Sequence, residues 1–208
     1  MTDNKVIYQG AEAEISIIKY KNREAIQKKR LHKSYRIKYL DKFLISSRTK
    51  EEAKLIIEAR RAGVTVPIIY DIDLFNGKII MQYLKGERVK DIFNKLNNKK
   101  RTLLCKKIGK NIAFLHNKNI IHGDITTSNM ILFNDKIYFI DFGLGEKNQE
   151  IESKGVDLHV LMEAIESTHS KYSKFFNIIF DEYSSHLQDD SKKIKLKIQE
   201  IIKRGRYR

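Results

Sequence analysis

Ile121-His122-Gly123-Asp124-Ile125-Thr126-Thr127-Ser128-Asn129, followed a hairpin later by Ile140-Asp141-Phe142-Gly143, decides how this chain is read. Met130–Phe133 and Lys136–Ile140 have the pattern of short strands, and Asn134-Asp135 between them is a turn signal. The residue types around that hairpin carry chemistry. The Asp124 carboxylate can accept or orient a hydroxyl proton. Asn129 and Asp141 offer hard oxygen donors of the kind magnesium takes. Magnesium keeps waters and substrate oxygens, so two protein ligands suffice. His122 is expected to hold the loop rather than shuttle protons. The plain alternative is a hairpin with polar turn residues. Against it stands the order of parts: a helix, His-x-Asp-x-x-x-x-Asn, a hairpin, then Asp-Phe-Gly.

That order resembles the phosphoryl-transfer machinery of the protein-kinase fold. The resemblance implies a lysine on the third strand to hold the α/β-phosphates of ATP, and a helix glutamate to hold the lysine. Lys28 fits the lysine. Its neighbour Lys29 points to the other face of the strand. Glu52 fits the glutamate, with Glu51 as its rival and a plain capping residue as the bland reading of Glu52. Met81-Gln82-Tyr83-Leu84 closes a strand where two lobes should join. There Met81 would be the gatekeeper, and backbone groups of Gln82 and Leu84 would meet adenine.

Working outward, Lys5–Tyr8, Glu14–Tyr20 and Ala25–Arg30 read as strands. Ile68–Phe75 and Lys78–Leu84 flank Asn76-Gly77, a two-residue hairpin signal. Thr49-Lys50-Glu51-Glu52 fits a capping box with Thr49 as N-cap, opening a helix that Gly63 ends and Pro67 follows. Leu103, Leu104, Ile108, Ile112 and Leu115 form one helix face ending near His116. Helical patterns return at Asp157–Glu166, Phe175–Leu187 and Lys192–Lys203. The expected fold class is α+β: a small β-rich lobe over residues 1–84 and a reduced helical lobe over 85–208.

The chain has 208 residues, of which 41% are hydrophobic and 32% charged, a globular composition that fits one domain or two small lobes. One cysteine, Cys105, excludes an internal disulfide framework and a multi-cysteine zinc cluster. No apolar run is long enough to span a bilayer, and the amino terminus lacks a signal-peptide pattern, so a cytoplasmic setting without membrane is expected. Net charge is +15, concentrated in residues 19–42 (ten basic, two acidic) and 192–208 (eight basic, one acidic). Two such patches point to a polyanionic partner, against a solvated surface with a basic tail.

Taken end to end, the chain resembles the PRPK-like small atypical kinases of the KEOPS/EKC complex. Gly10-Ala11-Glu12-Ala13 looks like that family's replacement for the glycine-rich loop. The segment Ile26-Gln27-Lys28-Lys29-Arg30-Leu31-His32-Lys33-Ser34-Tyr35-Arg36, ending at Leu40-Asp41, is similar to its signature, though Lys38 stands where the family often has proline. His122 through Ile131, Val156-Asp157-Leu158 and Arg204-Gly205-Arg206 match its catalytic loop, helical lobe and tail. Ordinary protein kinases differ in having arginine at position 123, lysine at 126 and a longer activation segment.

The resemblance implies a magnesium-dependent Ser/Thr kinase and ATPase that supports threonylcarbamoyladenosine formation on tRNA. It implies the threonylcarbamoyl-transfer subunit on the helical lobe and a small accessory subunit on the strand lobe. Lys203, Arg204, Arg206 and Arg208 would help with tRNA, beside Tyr207, which stacks on a base or is merely exposed. Lys33 and Arg36 touch phosphates or only cap the strand lobe. The rivals are a small-molecule kinase of the aminoglycoside or choline type, a RIO-type kinase, and a non-enzymatic RNA-binding scaffold. The Lys28–Arg36 signature speaks against the second, and retention of Lys28, Asp124, Asn129 and Asp141 against the third.

Overall fold

A computed structural model of the chain describes residues 5–205. Arg206, Tyr207 and Arg208 therefore lie outside the described residues. The contacts divide the chain into two units. The first comprises residues through Ile57 with Pro67–Lys85, and the second Glu58–Val66 with Gly86 onward.

The first unit is a five-stranded antiparallel sheet in the order β1-β2-β3-β5-β4, with one long helix. The strands are β1 (Lys5–Gln9), β2 (Ala13–Tyr20), β3 (Arg23–Arg30), β4 (Ile69–Asp73) and β5 (Lys78–Gln82). Lys21 and Asn22 join β2 to β3 with φ of 45° and 63°, the left-handed pair that suits strand twist in a tight hairpin. Alternation on β3 puts Ile26, Lys28 and Arg30 on one face. Ala53 of the helix packs with Ile79 and Met81 of β5, and Ile26 and Ile69 close over them.

The helix, α1, runs Lys38–Arg61, so it begins eleven residues before the expected cap at Thr49. Thr49 is an interior position whose buried hydroxyl donates to the Ile45 carbonyl at 2.7 Å. A threonine can satisfy itself in this way inside a continuing helix, which is why the capping-box pattern misleads here. The actual start is organised by Asp41 in the first turn. Its carboxylate accepts from the Lys33 amide at 3.3 Å and Arg36 at 3.4 Å, and bonds His32 at 2.8 Å. Lys38 is the first helical residue, a place where proline is also welcome, so its presence leaves the turn intact. The other end is as expected. Gly63 has φ of 87°, its amide donates to the Arg60 carbonyl, and the Val64 amide reaches the Ala59 carbonyl at 3.0 Å. This is the paired C-terminal motif that only glycine closes without strain.

The loop between β4 and β5 has four residues, not two. Asp73 pairs with Lys78, and the Asp73 carboxylate accepts from the Asn76 amide at 2.9 Å and side chain at 2.6 Å. The aspartate builds its own turn and ends β4 early.

The second unit holds β6 (Glu87–Arg88), α2 (Val89–Ile92), α3 (Asn98–Asn117), β7 (Ile120–Ile121), β8 (Met130–Phe133), β9 (Lys136–Phe139), β10 (Glu146–Lys147), α4 (Ile151–Thr168), α5 (Phe175–His186) and α6 (Ser191–Gly205). The stretch Glu58–Val66 belongs here because the Phe139 amide donates to the Thr65 carbonyl at 2.9 Å and Lys147 pairs with Glu58 at 2.6 Å. Helix α3 lies against α5, and α4 against α6. Leu104, Ile108, Ile112 and Leu115 of α3 are buried, whereas Leu103, expected on that face, is 52% exposed because it sits one position round the helix. Asn134 and Asp135 both have positive φ, 48° and 56°, closing the β8–β9 hairpin tightly.

Candidate active site

Each unit carries part of the candidate machinery. In the first, the strand alternation that buries Lys28 aims it at α1, where its ammonium meets Glu52 Oε1 at 2.5 Å. Glu52 is thus the glutamate of the pair, and Glu51 is exposed. The second Glu52 oxygen takes Arg30 at 2.6 Å, a partner the sequence analysis did not assign. All three side chains are nearly inaccessible. Removing charges from water is costly, so this cluster holds only because both carboxylate oxygens meet a cation.

Gly10-Ala11-Glu12 turns β1 into β2. The Gly10 amide donates to the Ala13 carbonyl at 2.9 Å, and Glu12 pairs with Arg48 at 2.8 Å. The Lys33 ammonium donates to the Ala11 carbonyl, and Arg36 lies on Asp41 and 5.3 Å from the Tyr35 ring centre. Both cations therefore have internal partners that a phosphate would have to displace. Met81 and Leu84 are buried. The Gln82 amide is committed to the Ile68 carbonyl at 2.8 Å and cannot serve a nucleotide.

In the second unit the loop after β7 is fixed from behind by Asp157 of α4. This buried carboxylate accepts from the His122 amide at 2.8 Å and the Gly123 amide at 2.9 Å, and lies 3.2 Å from His116 Nε2. His116 Nδ1 in turn bonds the Tyr183 hydroxyl at 2.9 Å. Gly123 has φ of 80°, and a Cβ there would lie 2.2 Å from the Leu144 carbonyl oxygen. The arginine usual at this position in protein kinases has no room.

His122 donates from Nε2 to the Ile140 carbonyl at 3.1 Å and accepts the Asp124 amide on Nδ1 at 3.3 Å. Its ring packs 4.5 Å from that of Phe142, centre to centre. Burial pushes its pKa below the usual histidine value, against the pull of Asp157, Asp141 and Asp124. A neutral imidazole with both nitrogens bonded ties the loop to the Asp-Phe-Gly segment.

The Asn129 amide nitrogen donates to the Asp124 backbone carbonyl at 2.9 Å and to Asp124 Oδ2 at 2.8 Å. Both amide protons are thereby used, and Oδ1 remains as the oxygen for a cation. The Ile140 amide donates to the Asn129 carbonyl at 3.0 Å, so the residue before Asp141 is locked to Asn129. Asp141 is exposed, accepts the Gly143 amide at 3.2 Å, and has φ of 64°. A non-glycine residue held in that region stores strain of about 1–3 kcal/mol and tends to mark functional positions. These donors fit Mg2+, a hard ion content with one or two protein ligands. Among the described residues no group of three or more His, Cys, Asp or Glu is placed to hold a metal ion. In the tail, Arg204 pairs with Glu152 at 2.7 Å and Lys203 is exposed.

The fold and these constellations define the class, and comparison with known proteins gives it a family. The RIO domain family matches residues 13–152. The chain is 42% identical to the KEOPS complex subunit Bud32 of Pyrococcus abyssi, over 98% of this chain and 96% of that one. It is 38% identical to a probable serine/threonine-protein kinase BUD32 homolog of Archaeoglobus fulgidus, over 97% and 95%. The chain therefore belongs to the Bud32 family of RIO-domain, kinase-like proteins. It is also 41% identical to a probable bifunctional tRNA threonylcarbamoyladenosine biosynthesis protein of Methanobrevibacter smithii, spanning all of this chain but 37% of that protein. The structure of WaaP in complex with acyl carrier protein superposes at a TM-score of 0.63 with 14% identity, covering 97% of this chain and 89% of that one. That likeness concerns the fold alone. The Lys28–Arg36 segment, read from sequence as separating this chain from RIO-type kinases, lies inside the matched RIO region, so it does not make that separation.

Proposed function

We propose that the chain is a magnesium-dependent, ATP-using Ser/Thr phosphotransferase with ATPase activity. It would act as the kinase subunit of a KEOPS complex and support threonylcarbamoyladenosine formation on tRNA. The observation that carries the chemistry is the double donation of the Asn129 amide to Asp124. That contact orients a proton-accepting carboxylate and turns a hard oxygen outward in one step. The names of the relatives support the assembly and the tRNA role.

In this reading Lys28, held by Glu52, binds the α/β-phosphates, and the Gly10–Ala13 turn covers them. Met81, the Gln82 backbone carbonyl and Leu84 receive the adenine. Asp124 accepts or orients the proton of the attacking hydroxyl. Asn129 Oδ1 and Asp141 would hold Mg2+, which supplies positive charge against the phosphate oxygens. The transfer subunit would dock on the helical unit and the accessory subunit on the strand unit. There Tyr35, Ile37, Tyr39, Phe43 and Phe75 are all at least 60% exposed, more apolar surface than a self-contained unit needs. Lys33, Arg36, Lys203, Arg204, Arg206 and Arg208 would meet tRNA phosphates in the cytoplasm. No described helix is long and apolar enough to cross a membrane.

The test is ATP hydrolysis by the purified protein in magnesium, with its transfer partner, with and without tRNA. Stimulation by tRNA that vanishes in Asp141→Asn is expected. Label moving to a small metabolite instead would establish a small-molecule phosphotransferase. Support of tRNA modification surviving Asp141→Asn would establish a scaffold.

A further inference from the structure

The loop from Asp124 to Asn129 must hold both ends of the Asn129–Asp124 contact still, yet Thr126 and Ser128 within it are only half-buried. Two side chains pin it from inside. Ile125 is 1% exposed and fills the core, and Thr127 is 2% exposed and polar. Thr127 opens the short 3-10 turn Thr127–Asn129 that delivers Asn129 to Asp124. Its hydroxyl lies 3.0 Å from His169 Nε2, and His169 Nδ1 lies 2.8 Å from Asn94 Oδ1. An amide oxygen only accepts, so Nδ1 carries the imidazole proton, Nε2 accepts, and the Thr127 hydroxyl donates.

The histidine itself is rigidly placed. It is 1% exposed, its ring centre is 4.6 Å from that of Phe93, and its amide closes the end of α4 on the Ile165 carbonyl at 2.8 Å. Burial, with the nearby cations Lys90 and Arg101, keeps its pKa below the ordinary histidine value. Nothing in the phosphotransfer scheme above uses it. Asp157 clamps the first half of the loop through the His122 and Gly123 amides. For the second half, the buried side-chain hydrogen bond is that of Thr127 to His169, which Asn94 backs from the other side.

We propose that His169 is a positioning residue for phosphotransfer: through Thr127 it sets the turn that holds Asn129 against Asp124. The inference rests on the reading of Asp124 and Asn129 given above. It touches no substrate and acts on geometry alone, so it should govern turnover more than nucleotide affinity. Displacing reacting groups by about 1 Å typically costs up to about 100-fold in rate.

Two near-isosteres separate positioning from mere structural filling. His169→Gln keeps an acceptor at the Nε2 position, facing Thr127. His169→Asn keeps only the Nδ1-side contact with Asn94. The experiment measures kcat, KM for ATP, the Mg2+ concentration at half-activity and the melting temperature for both variants, for Thr127→Val and for the His169→Asn/Thr127→Val double variant. Expected are a fall in kcat of about 10- to 100-fold for His169→Asn and Thr127→Val, with KM for ATP within about twofold. The double variant should be no worse than either single one, and His169→Gln should recover most of the turnover. Equal turnover in the Gln and Asn variants, or multiplicative losses in the double variant, would overturn the proposal. Asp141→Asn, assayed alongside, keeps the two levels apart. If it stays active, the reading of the site fails; if it is dead while His169→Asn turns over normally, only the positioning role fails.

Discussion

Glu52 faces two cations at once, 2.5 Å from Lys28 and 2.6 Å from Arg30. The two sides of this cluster should therefore respond differently to mutation. Glu52→Ala leaves buried positive charges together without their counter-charge, and a loss of about 3–5 kcal/mol of stability is expected in chemical denaturation. Lys28→Met leaves Glu52 neutralised by Arg30, so stability should stay within about 1 kcal/mol while ATP turnover disappears. A Lys28→Met protein that unfolds as readily as Glu52→Ala would contradict this account of the cluster. The loop residues stood out because hard oxygens and a proton acceptor at fixed spacing have few other uses, and the structure brings Asp124 and Asn129 of that loop into contact. Arg30 and Asp157 appear in the family-like segments but were given no role of their own. Their roles come from what lies opposite them in space, and a lysine-rich strand and a helical aspartate look ordinary in sequence. Strand alternation could have found Arg30, since it places residues 28 and 30 on one face.

At the scale of elements, β1 to β3, β5, the β8–β9 hairpin, α3, α5 and α6 follow from periodicity and turn chemistry, whereas β4 ends two residues early at its Asp73 turn and α4 begins at Ile151, six residues before the expected Asp157. The misread element is α1. Leu40, Phe43 and Leu44 fall at helical spacing, but the polar run over residues 46–52 separates them from the stripe that starts at Ala53, and Thr49 with Glu52 inside that run imitates a cap. Leu40 and Phe43 are 46% and 60% exposed, so the start of this helix leaves much of its apolar surface outside the core. The end of the same helix was legible because a glycine with a positive φ has a local cause. Gly63→Ala should lower stability by about 1–2 kcal/mol, since alanine in the left-handed region is strained. Thr49→Ala should cost less than the loss of a true N-cap would. A thermal melt of the two variants side by side checks both.

For the whole molecule, two buried histidines set the acid limit. His122 and His169 both have pKa values lowered by burial, so the unfolded chain binds protons that the folded chain refuses. Stability is then full above the unfolded value of about 6.5 and declines as pH falls below it, by up to about 1.4 kcal/mol per pH unit for each group until its folded pKa is reached. The slope of denaturation midpoint against pH between 6.5 and 5 should be shallower in His169→Gln than in the parent. An unchanged slope would mean that His169 already charges in the folded state. The charge distribution was readable as net sums, but its pairing was not, because pairing depends on which helices lie side by side.

That pairing has a consequence for the basic end of the chain. Glu152 of α4 holds Lys197 at 3.3 Å and Arg204 at 2.7 Å, and its pKa is held below the ordinary glutamate value by those bonds. The carboxylate is a resident competitor for cations that a polyanion would otherwise take directly. A polyanion taking Lys197 and Arg204 would have to exchange places with this carboxylate, and would bind more weakly than a count of lysines and arginines suggests. Glu152→Gln should tighten tRNA binding and steepen its dependence on salt by about one to two released counterions. A wild-type salt slope in that variant would show that these two cations never leave α4.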